Sequence, residues 1–230
     1  MVFFNITRQR LMQCITKTII YVIFTKTINL IIGFCGGTGA GKSTLVEQAA
    51  RLLGEENTLI LAQDHYYKHL PELTFEERAQ INFDHPDALD FDLMVSDLKK
   101  LVNGISIDRP VYSFAEHLRM NETVPCDSKP FILVEGILVF AHQPLLSLFD
   151  YKVYIEADKQ LRVQRRVDRD VQQRGRTEDE VHQRFKTTLH NMHDKFIASN
   201  IEKADIVISN NETIETSIAP LKHWLSSIIK

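Results

Sequence analysis

The sequence predicts an α/β domain, a parallel five-stranded sheet flanked by helices, and three observations predict it. Five short runs are apolar throughout instead of alternating, as strands buried on both faces of a parallel sheet must be. Stretches with helical spacing fall between them, and strand–helix alternation puts helices on both faces of the sheet. With 230 residues, 44% hydrophobic and 25% charged, the chain suits one globular domain with room for an appended subdomain.

Residues 1–27 stand apart. They carry Arg8, Arg10, Lys17 and Lys26 and no acid, leaving 23 basic against 30 acidic residues in the remainder. A body that acidic argues against nucleic acid as a partner. Ile19–Phe24 resembles the core of a signal peptide, but the apolar pattern resumes at Ile28, so cleavage there would damage the first strand. Lys17 and Lys26 keep any charge-free run short of the ~20 residues a membrane span needs. The expectation is a poorly ordered extension, no membrane, and a single domain over residues 28–230. Cys14, Cys35 and Cys126 are scattered without a paired motif, as reduced cytoplasmic thiols would be.

The first strand, Ile28–Phe34, runs into Gly36-Gly37-Thr38-Gly39-Ala40-Gly41-Lys42-Ser43-Thr44, and the helix Lys42–Leu53 follows. This is G-x-x-x-x-G-K-[ST] in its required strand–loop–helix setting, which makes the fold P-loop NTPase-type. Glycines let the loop curl so that backbone N–H groups point at phosphate oxygens. The helix adds the positive end of its dipole. Lys42 is expected to reach the β- and γ-phosphates and the Ser43 hydroxyl to ligate Mg²⁺.

The second strand, Thr58–Gln63, is closed by Asp64, and the third, Phe131–Val134, by Glu135. Both acids should project from the carboxyl edge of the sheet beside the P-loop. One carboxylate can take the proton of an acceptor hydroxyl and the other can hold Mg²⁺ through water. Neither an Asn-Lys-x-Asp guanine reader nor a Leu-Ser-Gly-Gly transporter signature is present, so a small-molecule kinase is the expected class.

Between these strands lie two stretches outside the simple alternation. Tyr66–Leu89 is polar, aromatic and proline-punctuated, ahead of a helix at Asp92–Val102. Residues 103–127 read as an inserted hairpin with strands in Ile105–Phe114 and Arg119–Val124. Insertions at the carboxyl edge of an open sheet build ligand sites, so both are candidates for substrate recognition.

The fourth strand, Tyr151–Ile155, leads to a helix at Asp158–Gln173, in which Arg162, Arg166 and Arg169 share a face with Arg165 on its shoulder. Arg174-Gly175-Arg176 ends it, and residues 162–180 read as an arginine-rich lid over the transferred phosphoryl group. The bland alternative is a solvated helix in which Asp168 and Asp170 pair with these arginines. A helix at Glu178–Ser199, a fifth strand at Asp205–Ser209 and a helix at Glu212–Ile229 complete the domain.

Taken together, Gly36–Thr44, Asp64-His65-Tyr66-Tyr67, Asn82-Phe83-Asp84-His85-Pro86-Asp87-Ala88, Pro110-Val111-Tyr112, Glu135-Gly136-Ile137-Leu138 and Arg165-Arg166 through Arg174-Gly175-Arg176 resemble the uridine kinase (uridine–cytidine kinase) family over roughly residues 28–209. The resemblance implies transfer from ATP or GTP to the 5′-hydroxyl of uridine or cytidine. It implies Asp64 as the base, Ser43 and Glu135 on magnesium, and Asp84 with Arg166 on the ribose hydroxyls. Tyr67, Phe83, Tyr112 and His117 would line the base pocket, with Arg169, Arg174 and Arg176 acting as the lid closes. It also implies a homotetramer restrained by end-product triphosphates. His65, Ser113, Arg184, His190-Asn191 and Ser209-Asn210-Asn211 depart from the family pattern, several of them near the acceptor. Two other readings stay open: a P-loop kinase of another acceptor, phosphoribulokinase-like or pantothenate-kinase-like, and a non-catalytic nucleotide-binding regulator.

Overall fold

Six of the seven residues of β1 (Leu30–Gly36) are buried, because this strand runs through the centre of the sheet with layers on both faces. The computed structural model describes residues 29–229; the expectation for residues 1–27 lies outside them. The remaining strands are β2 (Thr58–Ala62), β3 (Ile107–Ser113), β4 (Leu118–Cys126), β5 (Phe131–Glu135), β6 (Tyr151–Glu156) and β7 (Ile206–Ser209). The helices are α1 (Lys42–Leu53), α2 (Phe75–Ala79), α3 (Phe91–Val102), α4 (Gln143–Leu146), α5 (Lys159–Arg174), α6 (Glu178–Arg184), α7 (His190–Phe196) and α8 (Ile214–Ile228).

The main sheet is parallel, in the order β2-β5-β1-β6-β7, as the five apolar runs predict. Side chains alternate along β1. Ile31 and Cys35 join Ile132, Val134 and Tyr154 over Met94, Leu98 and Leu101 of α3. Ile32 and Phe34 join Leu133, Val153 and Ile208 against Leu45, Val46 and Ala49 of α1 and Leu221 and Leu225 of α8. This period of two, buried on both sides, is why the strands read as unbroken apolar runs.

Three of the differences from expectation have a visible local cause. β2 stops at Ala62, and Gln63 opens a 3₁₀ turn, Gln63–Tyr66. Its buried side chain leaves the ladder to accept the Leu138 N–H at 2.7 Å. α3 starts one residue early, since the Asp90 carboxylate caps it by accepting the Leu93 N–H. The single helix expected over Glu178–Ser199 is instead α6, a π-turn at Phe185–Leu189, α7, and a 3₁₀ segment at Ala198–Lys203. Val181, Phe185 and Leu189 all bury against Val167. Residues four apart drift around a 3.6-residue helix, and the wider π-turn absorbs that drift.

The hairpin β3–β4 is antiparallel with a register shift between Pro110 and Tyr112, where proline has no N–H to offer the ladder. Its turn ends at His117, whose φ of 50° is left-handed. No helix among the described residues is long and apolar enough to cross a membrane.

Candidate active site

Register brings the site together. Phe34 of β1 and Ala62 of β2 both pair with Glu135 at the end of β5, so the loops after three strands leave the sheet side by side. From β5 the chain crosses over β1 to reach β6 on the other side, which makes this the switch point where an open α/β sheet binds ligand.

The loop after β1 curls as its glycines require. Gly39 and Gly41 are left-handed, at φ 74° and 86°, and a methyl group on either would collide with the Arg162 carbonyl or the Asn210 amide. Asn210 also donates to the Ala40 carbonyl at 2.8 Å and accepts from buried Ser217, bracing the loop from behind. Arg165 donates to the Asn210 carbonyl at 3.0 Å. Lys42 opens α1, buried, with Nζ 3.0 Å from the Gly37 carbonyl. Burial lowers its pKa, while the nearby Glu135 carboxylate acts the other way. The Ser43 hydroxyl donates to Glu135 Oε1 at 2.7 Å. Burial raises the Glu135 pKa against the opposing pull of Lys42. Thr44 sits on the outer rim of the loop with Arg165 and Asn210.

A cavity of about 760 Å³, including its open mouth, connects this cradle to an aromatic pocket. Thr38, Gly39, Lys42, Ser43 and Glu135 line one part of it; Tyr67, Phe83, Tyr112, Phe114 and His117 line another; Asp64 and Asp84 are on its wall. Lys42 and five arginines face only three carboxylates there, so the space favours a polyanion. Tyr67 lies 5.1 Å from Phe83 and 4.9 Å from Tyr112, centroid to centroid, and bonds the Phe83 carbonyl. It belongs to the core and to the cavity wall alike. The His117 ring stacks on Phe83 at 5.2 Å, so its left-handed backbone turns it inward instead of out to solvent. Phe114, also on the wall, carries the Arg174 guanidinium at 4.2 Å from its centroid.

The arginine stretch divides. Arg162, expected in the lid, is buried under the P-loop, where it donates to the Ala157 carbonyl and packs on Gly37. Arg166, Arg169, Arg174 and Arg176 face the cavity and gather on one carboxylate, Asp170, which is fully buried. Their closest contacts to it are 3.4, 2.8, 3.7 and 2.7 Å. Burial alone would raise the Asp170 pKa; the guanidiniums of Arg166 and Arg169 outweigh it and hold the pKa low. Arg166 also donates to Thr38 Oγ1 at 2.7 Å and lies 3.5 Å from Asp84, and Arg174 is 4.0 Å from Asp64. Asp168 takes no part; it accepts from Gln164 on the exposed face.

Sequence reasoning left out Asn210 as a brace and Gln63 as a fixed turn, and it gave Asp170 as a solvated partner of the arginines instead of their buried hub. Asp170 had a signal: it stands four residues after Arg166 and four before Arg174, on one helix face. Asn210 had none, since its partner Ala40 lies 170 residues away.

A P-loop beside two strand-end carboxylates, opening on a pocket for a second molecule, defines a P-loop phosphotransferase. The phosphoribulokinase / uridine kinase family model matches residues 31–217, and the chain belongs to that family. It is 39% identical to a uridine kinase of Clostridium novyi, covering 86% of this chain and 97% of that protein. It is 38% identical to a uridine kinase of Staphylococcus epidermidis, covering 86% and 96%. Among solved structures, phosphoribulokinase from Rhodobacter spheroides superposes with a TM-score of 0.59 at 14% identity, over 83% of this chain and 73% of that one. D-glycerate 3-kinase from Cryptococcus neoformans gives 0.59 at 14%, over 81% and 88%. These two share the fold.

Proposed function

We propose that this enzyme transfers the γ-phosphoryl group of ATP or GTP to the 5′-hydroxyl of uridine or cytidine. The observation that carries the proposal is a single cavity lined by the P-loop lysine, the Asp64 carboxylate and an aromatic pocket of nucleobase character. Relatives named uridine kinase, matched over nearly their whole length, support the acceptor class.

Backbone N–H groups of the P-loop and Lys42 hold the triphosphate of the donor. Asp84 accepts from the ribose hydroxyls and Arg166 donates to them, while Tyr67, Phe83, Tyr112 and His117 enclose the base. Asp64 takes the 5′-hydroxyl proton as the new oxygen–phosphorus bond forms and the bond to the β-phosphate oxygen breaks, leaving a nucleoside monophosphate and ADP or GDP. Arg169, Arg174 and Arg176 face the charge on the transferred group. Ser43 and Glu135 present hard oxygen donors 2.7 Å apart, a pair that suits Mg²⁺ bound directly and through water. Magnesium, when bound, neutralises charge on the β- and γ-phosphate oxygens. A homotetramer acting on a small molecule is the assembly carried over from the family resemblance, the scattered cysteines support a cytoplasmic protein, and the acidic body of the chain supports a partner other than nucleic acid.

Incubation with Mg²⁺, γ-labelled ATP and a panel of uridine, cytidine, ribulose 5-phosphate, pantothenate and glycerate tests this. Label is expected in UMP and CMP, and Asp64→Asn should lower kcat by about 10²–10⁴-fold with ATP affinity retained. Label in a sugar bisphosphate, or in no acceptor at all, would overturn the proposal.

A further inference from the structure

The 3₁₀ turn that carries Asp64 is held at three points. Gln63 accepts from the Leu138 N–H, and Tyr66 donates to the buried Asp97 carboxylate at 3.3 Å. His65, between them and next to Asp64, reaches the inserted hairpin, where Arg109 Nη1 of β3 lies 3.0 Å from its Nδ1 and 3.1 Å from its Nε2. A point in the ring plane that far from both nitrogens would collide with the carbon between them, so the guanidinium rests on the face of the imidazole. Planar guanidiniums stack on the faces of neutral rings. Burial and Arg109 keep His65 neutral, with Asp64 opposing. Arg109 also bears on Tyr66, but the Asp97 carboxylate there is already taken by Tyr66 and Lys100. Arg109 Nε is buried without a hydrogen-bond partner. The His65 ring is what fixes this guanidinium.

Arg109 pairs with Val124 towards the root of the hairpin, while Tyr112 and His117, nearer the tip, line the acceptor pocket. Between Arg109 and Tyr112 the ladder slips at Pro110, and a strand bends most easily at such a slip. On the tip side of it, Arg119 donates to the Tyr67 carbonyl at 2.9 Å, and its own carbonyl lies 2.8 Å from His69 Nδ1. The hairpin is thus pinned on both sides of a weak point, and the root pin ends on the residue beside Asp64. We infer that the stacking of Arg109 on His65 sets the distance between the acceptor pocket and the Asp64 carboxylate, which makes both of them positioning residues for phosphoryl transfer. This rests on the base and the acceptor class proposed above. Neither side chain is on the cavity wall, so the contact acts through Asp64 and Tyr112 and not on the substrate.

The test measures kcat and KM for uridine, cytidine and ATP with the unaltered enzyme, His65→Ala, Arg109→Ala, the double variant and His65→Phe. A misplacement of about 1 Å away from the reacting atoms costs about 100-fold in rate, and a hairpin still pinned by Arg119 should lose about tenfold. Each alanine variant should therefore lower kcat about tenfold with each KM within about threefold, and the double variant should fall no further than either alone. His65→Phe keeps a flat ring under the guanidinium and should hold kcat within about threefold of the unaltered enzyme. A purely structural contact would lower the urea midpoint of the variants and leave kcat unmoved, and that result would overturn the inference. Losses that multiply in the double variant, or a His65→Phe as slow as His65→Ala, would overturn it too. If an alanine variant fails to fold, His65→Phe against His65→Leu decides, and equal kcat for those two would overturn the inference. Turnover of neither nucleoside by the unaltered enzyme would instead remove the acceptor class itself, and the inference with it.

Discussion

The phosphate cradle and the arginine wall line the same cavity and touch at one point, where Arg166 donates to Thr38. They are held in place by different means. The cradle is a contiguous run whose shape follows from backbone angles that glycine alone adopts easily, and its cation, Lys42, is a single residue. The wall gathers four like charges, which repel one another unless something stands between them. Asp170 is that something, one carboxylate with no exposure to water. A site built on chain geometry fails where a substitution breaks that geometry, as at Gly39 or Gly41, whereas one built around a single buried counter-charge fails when that charge goes.

The largest effect therefore belongs to Asp170→Asn. The change keeps size and shape and removes only the charge. Removing one partner of a buried ionic cluster costs about 3–5 kcal/mol, so urea unfolding should show a loss of that order. Phosphoryl transfer should fall about 100-fold as the guanidiniums spread apart. Asp168→Asn, two residues away on the exposed face of the same helix, should change stability by less than about 0.5 kcal/mol. Equal behaviour of the two variants would break the comparison, for the wall would then need no buried anion.

A smaller effect tests the cradle from behind. Asn210→Ala removes the donor to the Ala40 carbonyl and opens space beneath Gly41. Losing that buried bond should cost about 1–2 kcal/mol and raise the KM for ATP several-fold, with kcat nearly kept. If ATP binding is unmoved, the cradle is self-supporting and the contrast with the wall is sharper still.

The same contrast explains what could be read from the sequence. The cradle was legible because its residues are consecutive and each type has one reason to be there. Asp64 and Glu135 were legible because a carboxylate ending a buried strand must emerge at the sheet's edge, and the pairing of Phe34 and Ala62 with Glu135 puts them there. Arg162 was misplaced because a helical arginine's spacing is the same whether it faces ligand or packs under a loop; only the crossing of α5 behind Gly37 and Gly39 decides. Burial decides for Asp170 too. The i±4 spacing to Arg166 and Arg174 was visible, but a surface pair worth little and a buried hub holding a site together have one spacing between them. The π-turn at Phe185–Leu189 arises from packing on Val167, which no local pattern encodes.

Acid titration reaches both regions and gives the smallest effect. His65, beside Asp64, is pushed down to about 4 by burial and by Arg109, with Asp64 opposing. His193, beneath the cradle, is pushed down to about 4 by burial and by Arg162, with Asp194 opposing and His190 and Lys42 reinforcing. A histidine whose folded pKa lies below its ordinary 6.5 is held neutral by the fold, so the unfolded chain takes the proton first. Stability is then full above about pH 6.5 and is lost as pH falls toward 4. Each ring is partly open to solvent, so each contributes no more than about 1 kcal/mol per pH unit across that window. Urea unfolding at pH 7, 6 and 5 should show the decline, and His65→Asn and His193→Asn should each flatten it. A slope left unchanged by His193→Asn would mean that Arg162 braces the P-loop without the neutral ring beside it. The cradle would then depend on backbone geometry and Asn210 alone, and the difference between the two regions would be wider than the ion pairs already make it.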